Sequence, residues 1–484
     1  MLILKNYIDG QWIDSISGKR TQKFNPANRE EALCEAQASV AQDVERAMSA
    51  ASQAFPAWAR TPVPQRAALL QQLLEKMKAN ETEFVRTVTL ENGKILRESR
   101  AEFQSAIKEA DYQIGQGRRL GGAHVPSEQP GLLAYMTRQP LGVVSLITPW
   151  NFPLNVACRK MFPALIAGNT CVLKPSDVTP MTSALLFKLL NEAGFPRGVA
   201  NFVTGRGSVI GDTLVNHPSV RAISFTGSTE VGLSIAGKVA GRSTKIQLEM
   251  GGKNPLVVLA DANLERAVDA AMIGAFSCSG QWCTSTSRVI VEAPVYETVV
   301  EMLTQKAKAI AVGNGLDEAA RMGPVAGPDQ YESILKYIEI GKREGARLCA
   351  GGHALREGHF ARGYFIAPTI FADVTSAMRI AREEIFGPVL CVMKANDFED
   401  SVCIANETIF GLASSVFTQD LAKAQRFIEE SQVGLCHVNM PTAFKEPQLE
   451  FGGIKESGRG LPEAGTTGAE FFTSHKAVYL RPLS

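Results

Sequence analysis

The sequence lacks the local spacings that build zinc sites. It has no CxxC pair, and its six histidines (His124, His217, His353, His359, His437, His475) never fall at HxH, HxxxH or HExxH spacing. No metal is expected. It also lacks a dominant charge: 50 Lys+Arg stand against 49 Asp+Glu, a formal net charge of +1. Without a basic field, neither nucleic acid nor an anionic membrane is an expected partner. Long apolar runs are missing too, because the most apolar stretch, Leu141 to Leu173, is broken by Pro149, Pro153, Arg159, Lys160 and Pro163. It cannot cross a bilayer as one clean helix. Lys5 and Asp9 lie where a secretory signal needs an apolar core. The nine cysteines are odd in number, irregularly spaced and mostly set in apolar runs. Such usage fits reduced thiols, so a soluble, cytoplasmic protein is expected.

What the chain does have is length and apolar content: 484 residues, 45% of them hydrophobic, without repeats or low-complexity tracts. One core stops growing near ~250–300 residues, so two large domains are expected. After a short β-rich start, apolar residues recur at helical spacing from Asp43, a candidate N-cap, and again from Pro64. The stretch from Gly117 to Pro140 is rich in glycine and proline and reads as an excursion such as an extended hairpin. From Leu141 short apolar strands (LGVVSLI, TCVLK, VANFV, RAISF) alternate with helical segments, which argues for a doubly wound parallel sheet. A second alternation from Lys245 (KIQLE, PLVVL, RVIVE) marks a second α/β domain, and FFTSHKAVYL is a terminal strand that needs a partner.

One cysteine stands out. In FSCSGQWCTSTSR, Cys283 lies in a polar loop between a helical segment and a strand, which suits either a reactive thiol or a small buried side chain. A nucleophilic thiol needs a base. Glu249 ends the strand KIQLE before Gly251 and Gly252, and reads either as that base or as a solvated strand-end acid. Two glycine clusters follow strands: TGRGSVIG, with Gly205, Gly207 and Gly211 at GxGxxxG spacing, and FTGSTEVG, with Gly227, Ser228 and Gly232. Each suits either a phosphate at a helix N-terminus or an ordinary capped helix start. Lys174 closes the strand TCVLK and is either a ligand to that site or a surface lysine.

Taken together, ITPWNFP, LKPSD, FTGSTEVG, LEMGGKNP, SGQWC, EEIFGP and FGGIKESG occur in an order and spacing that resembles the NAD(P)-dependent aldehyde dehydrogenase superfamily, from about Tyr7 to the C-terminus. The resemblance implies an α/β fold with a Rossmann-like cofactor domain (1–117 and 141–250), a second α/β catalytic domain (251–452) and a small β oligomerisation arm (118–140 and 468–484). It implies Cys283 as nucleophile toward a small aldehyde, Asn151 as oxyanion donor and Glu249 as the base that activates the hydrolytic water. Cofactor contacts are implied at Ile147, Pro149, Trp150, Lys174, Ser176, Asp177, Gly207, Gly227, Ser228 and Gly232, with Glu384 and Phe386 beside the nicotinamide ribose and ring. A homodimer or homotetramer is implied as well.

Asp177, three residues after Lys174, can bond ribose hydroxyls and repel a 2′-phosphate, which leans toward NAD. It is shorter than the glutamate of strict NAD enzymes, and Ser176 beside it leaves NADP open. For substrate, NFPLNVACRK resembles semialdehyde dehydrogenases in which the arginine matching Arg159 pairs with a remote carboxylate. The second arginine that such enzymes often carry six positions before the nucleophile is here Ser277, and Arg159 is equally readable as a structural helix arginine. The chain looks most like the α-ketoglutarate semialdehyde (2,5-dioxopentanoate) dehydrogenases. Succinate semialdehyde, a sulfonated aldehyde or an aromatic aldehyde are alternative substrates, and a catalytically inactive binding protein on this fold is an alternative of another class.

Overall fold

The computed structural model describes residues 1–482, so Leu483 and Ser484 of the expected arm lie outside the described residues. Two large sheets organise the chain. The first has eight strands, and its five central ones are parallel, in spatial order Lys245–Glu249, Val220–Thr226, Val143–Ile147, Thr170–Lys174 and Ala200–Phe202. The antiparallel strands Asn6–Ile8 and Gln11–Ile13 extend one edge, and Gly458–Arg459 closes the other. Three of these strands are buried almost throughout, as VVSLI, TCVLK and ANF, because helices cover both faces of the sheet. The order reverses at Val143–Ile147, which neighbours Thr170–Lys174 on one side and Val220–Thr226 on the other. At such a switch point the loops leaving the strand C-termini diverge and open a crevice. Pro149, Trp150 and Asn151 leave one of these strands, and Gly227 and Ser228 leave the other.

The second sheet has seven strands, in spatial order Arg347–Ala350, Thr369–Ala372, Val389–Ala395, Thr286–Glu292, Asn254–Val258, Ala413–Phe417 and Leu435–Val438. All pair in parallel except the first. A third, three-stranded sheet joins Ala123–Val125, Leu133–Pro140 and Thr473–Leu480, so the expected hairpin and the terminal strand are each other's partners. Among the described residues no helix is long and apolar enough to cross a membrane.

Two local expectations change. The first long helix runs Ala41–Arg60, which puts Asp43 at its third position rather than at the cap. Its carboxylate reaches back to the Val40 N–H at 3.0 Å and also takes the Ile16 N–H and the Ser15 hydroxyl. It therefore satisfies the helix start from inside the first turn. Gly117 belongs not to the hairpin but to the helix Leu96–Arg119, where a Cβ would stand 1.9 Å from Ile166 Cγ1. Its smallness lets this helix lie against Asn155–Ile166, a helix buried on every face.

Candidate active site

The two sheets and the helix Leu96–Arg119 enclose a cavity of about 780 Å³. Pro149, Trp150, Asn151, Arg159, Gly227, Ser228, Cys283, Glu384 and Phe386 all line it, which brings together groups spread over most of the chain. Ile147, Lys174, Ser176, Asp177, Gly207, Gly232 and Glu249 are not on its walls. Gly232 has a packing reason for being glycine, since a Cβ there would meet Met250 Sδ at 2.4 Å.

The segment before Cys283 is tightly held. Cys278, Ser279 and Gly280 have φ of 52°, 55° and 68°, three successive left-handed residues of which only the last is glycine. Such backbone persists when its surroundings over-determine it. Glu98 accepts the Cys278 N–H at 2.7 Å, the Ser279 hydroxyl donates to the Gly323 carbonyl at 2.8 Å, and Gln281 Oε1 accepts the Ala326 N–H at 2.9 Å. Asn151 Nδ2 donates to the Gln281 carbonyl at 3.0 Å, and Asn254 Nδ2 donates to the Cys283 carbonyl at 2.8 Å. The nucleophile candidate is thus held at its backbone while its side chain stays partly exposed to the cavity. Its thiol is not pre-activated. Burial pushes it up to about 12, with Arg159 pulling down and Glu249 and Glu384 pushing further up. A polar loop in the sequence therefore does not translate into a low thiol pKa.

Glu249 is buried, not a solvated strand-end acid, being 4% exposed at the end of its strand. Burial and repulsion from Glu463 hold its carboxyl well above the usual range, against Lys160, Arg159 and the Gly453 N–H. One carboxylate oxygen, Oε2, has no hydrogen-bond partner. Behind it Lys160 donates to Ser224 Oγ at 2.9 Å and to Glu463. An unpartnered, hard-to-ionise carboxyl is a strong base once deprotonated.

Arg159 is engaged within the protein. Its guanidinium makes a two-pronged pair with Glu109 at 2.9 and 3.1 Å, bonds Asn155 Oδ1 at 2.8 Å and lies 4.3 Å over the Phe451 ring. Lys445, which no motif in the chain singles out, lines the same cavity. Its ammonium bonds the same Glu109 and, at 3.0 Å, Asn155 Oδ1. Burial and the Arg159 charge bring it down to about 8, with Glu109 acting the other way. Two cations on the cavity wall therefore meet on the Glu109 carboxylate, and Arg159 also stands 3.7 Å from Glu463 Oε2. No spacing rule marks Lys445; only the fold sets it against Glu109, 336 residues away.

The donor set fits a dinucleotide. Lys174 is 5% exposed, and its ammonium makes a single bond, to the Pro175 carbonyl at 2.7 Å, leaving donors free. Gly207 opens the helix Gly207–Asn216 with nothing within 4 Å of where a Cβ would stand, and Ser228 caps the helix Thr229–Val239. Helix starts open in this way suit phosphate oxygens. Glu384 accepts the Gly252 N–H at 2.9 Å and is pushed up to about 7 by burial. It can approach because residue 251 is glycine, whose Cβ would stand 2.4 Å from the Glu384 carboxylate. The Phe386 ring meets Trp150 edge-on at 5.4 Å, while Gln330 holds the Phe386 carbonyl at 2.7 Å.

Known proteins share this architecture along almost its full length. The α-ketoglutaric semialdehyde dehydrogenase of Bacillus subtilis is 43% identical over 99% of this chain and 98% of its own. The 2,5-dioxopentanoate dehydrogenase of Saccharolobus solfataricus is 40% identical over 98% of this chain and 99% of its own. Among solved structures, betaine aldehyde dehydrogenase from Staphylococcus aureus in complex with NAD+ superposes with a TM-score of 0.97 at 35% identity, covering 99% of this chain and 95% of that one. The model of the aldehyde dehydrogenase family matches residues 12–478, and with fold, cavity and relatives in agreement the chain belongs to that family.

Proposed function

We propose that the protein oxidises a short semialdehyde bearing a remote carboxylate, of the α-ketoglutarate semialdehyde type, to the corresponding acid with NAD. The observation that carries the substrate class is the pair of cations, Arg159 and Lys445, that line the cavity side by side and meet on the Glu109 carboxylate behind its wall. With Lys160 and Glu463 counted, three cations face two carboxylates while Glu249 resists ionisation, and a substrate carboxylate supplies the missing negative charge. The names of the Bacillus and Saccharolobus relatives point the same way.

In this reading Cys283 releases its thiol proton to solvent, its sulfur adds to the aldehyde carbon, and loss of a hydride from that carbon leaves a thioester. Asn151 has a second amide N–H beyond the one given to Gln281, and this donor, with the Cys283 backbone N–H, receives the oxygen as it gains charge. The bound dinucleotide supplies the hydride acceptor. Lys174, Ser176, Asp177, Gly207, Gly227 and Ser228 would hold its adenosine and phosphate half, and Trp150, Glu384 and Phe386 the nicotinamide end. Glu249 takes the proton of the water that hydrolyses the resulting thioester on Cys283, and its unpaired Oε2 is the basic atom.

We assign 1–117 and 141–250 to cofactor binding, 251–452 to catalysis, and 118–140 with 468–484 to an arm that joins subunits into a dimer or tetramer in the cytoplasm. Exposed Val125, Leu133, Met136 and Tyr479 on the third sheet support the arm assignment. The function is tested by comparing kcat/KM for α-ketoglutarate semialdehyde, succinate semialdehyde, a sulfonated aldehyde, benzaldehyde and pentanal. A clear preference for the carboxylated pair is expected, and equal or better turnover of pentanal would refute the substrate class.

A further inference from the structure

A lysine from the N-terminal β-structure reaches the strand edge where Lys174 ends. Lys23 lies on the strand Arg20–Asn25, paired opposite Cys34, and only 14% of its side chain is exposed. Its ammonium stands 3.8 Å from Asp177 Oδ2. The buried Lys174 ammonium senses both groups: burial brings it down to about 8, Asp177 acts against this and Lys23 reinforces it. The cluster therefore holds two cations and one carboxylate, placed where the proposed function puts the adenosine ribose.

This arrangement changes what Asp177 does. A lone carboxylate beside the ribose accepts hydrogen bonds from the 2′- and 3′-hydroxyls and repels a phosphate ester at the 2′ position. With Lys23 3.8 Å away, the carboxylate faces two cations, and the cluster keeps one net positive charge with free donors on Lys174. A 2′-hydroxyl leaves that charge unmatched, whereas a 2′-phosphate brings the missing negative charge. Lysine suits this task because it reads phosphate as a point charge and needs no planar geometry.

We propose that Lys23 is a cofactor-specificity residue: with Lys174 it recognises a ribose 2′-phosphate, so that the enzyme takes NADP as well as NAD. The inference rests on the adenosine ribose lying against Lys174 and Asp177, as the proposed function has it.

The test is direct binding. Dissociation constants of NADH and NADPH are measured by nucleotide fluorescence on the intact enzyme, for the wild type, Lys23→Met and Lys23→Arg, with the thermal shift given by NAD and NADP as a second readout. The wild type should bind NADPH within about thirtyfold of NADH. Lys23→Met should raise the NADPH/NADH ratio of dissociation constants by about tenfold, the scale of one lost charge-assisted contact, and Lys23→Arg should restore it. A ratio moving less than about fivefold, or both nucleotides weakening together, would overturn the assignment of Lys23 while leaving the NAD site in place. Failure of NADPH alone to bind the wild type would overturn the assignment, and failure of both nucleotides would overturn the cofactor reading beneath it as well.

Discussion

Replacing Lys445 by methionine keeps the length and apolar stem of the side chain and removes only its charge. Glu109 would retain its two-pronged bond to Arg159, so no buried carboxylate is orphaned and folding is spared. What disappears is the cation that we place against the substrate carboxylate. A hydrogen bond to a charged group is worth about 1.5–3 kcal/mol, so kcat/KM for α-ketoglutarate semialdehyde should fall roughly 10- to 150-fold. Pentanal, similar in length but uncharged, should change less than about threefold. The wild type offers an independent check through pH. Lys445 loses its charge as pH rises through about 8. Because kcat/KM reports ionisations of the free enzyme, the acid-to-neutral ratio of kcat/KM should be level near neutrality and decline above about pH 8. The raised pKa of Cys283 should make both substrates faster with rising pH, and this common effect is expected to cancel in the ratio. Steady-state assays across this range, for both substrates and both enzymes, decide the matter. A ratio independent of pH in the wild type, together with equal losses for both substrates in Lys445→Met, would refute the anchoring role.

Glu249→Gln should leave the rapid first turnover of NADH largely intact and lower the steady-state rate by about 100-fold or more, as expected when a positioned base is lost; stopped-flow absorbance reads both phases, and an unaltered steady state would remove Glu249 from the hydrolytic step. Arg159→Leu should cost about 1.5–3 kcal/mol of stability, because Glu109 loses its bidentate bond while keeping Lys445, and Glu463 keeps Lys160; urea unfolding measures this, and a fully stable variant with a selective rise in KM for acidic aldehydes would make Arg159 a substrate anchor and not a structural ion.

Much of this was legible in the residues. The strands KIQLE and TCVLK form over the same residues that their alternation indicates, and the motifs holding Asn151, Cys283, Glu384 and Phe386 converge on one cavity because each sits in a loop leaving or entering a strand. What escaped was pairing at a distance. Nothing in FKEPQ distinguishes Lys445 from a solvated lysine until the fold brings it to Glu109, and nothing in RTQKFN links Lys23 to Asp177. The protonation state of Cys283 escaped for a related reason. A run of serines and threonines describes neighbours along the chain, whereas desolvation depends on Leu412, Phe451 and Ala464, which arrive from far downstream. Gly117 misled because glycine serves loops and close helix contacts alike.

The ladder between Leu133–Pro140 and Thr473–Leu480 also bears on how the chain is made. Arg138 and Thr473, whose side chains bond across it, are 335 residues apart. At about 5–20 residues per second, a ribosome needs on the order of half a minute to deliver the second strand after the first has emerged. Throughout that interval the hairpin offers an open, unpaired edge, the kind of surface that recruits foreign strands. A nascent chain halted before Thr473 would carry that vulnerability indefinitely, so truncation ahead of this strand should surface as aggregation well before it registers as lost catalysis.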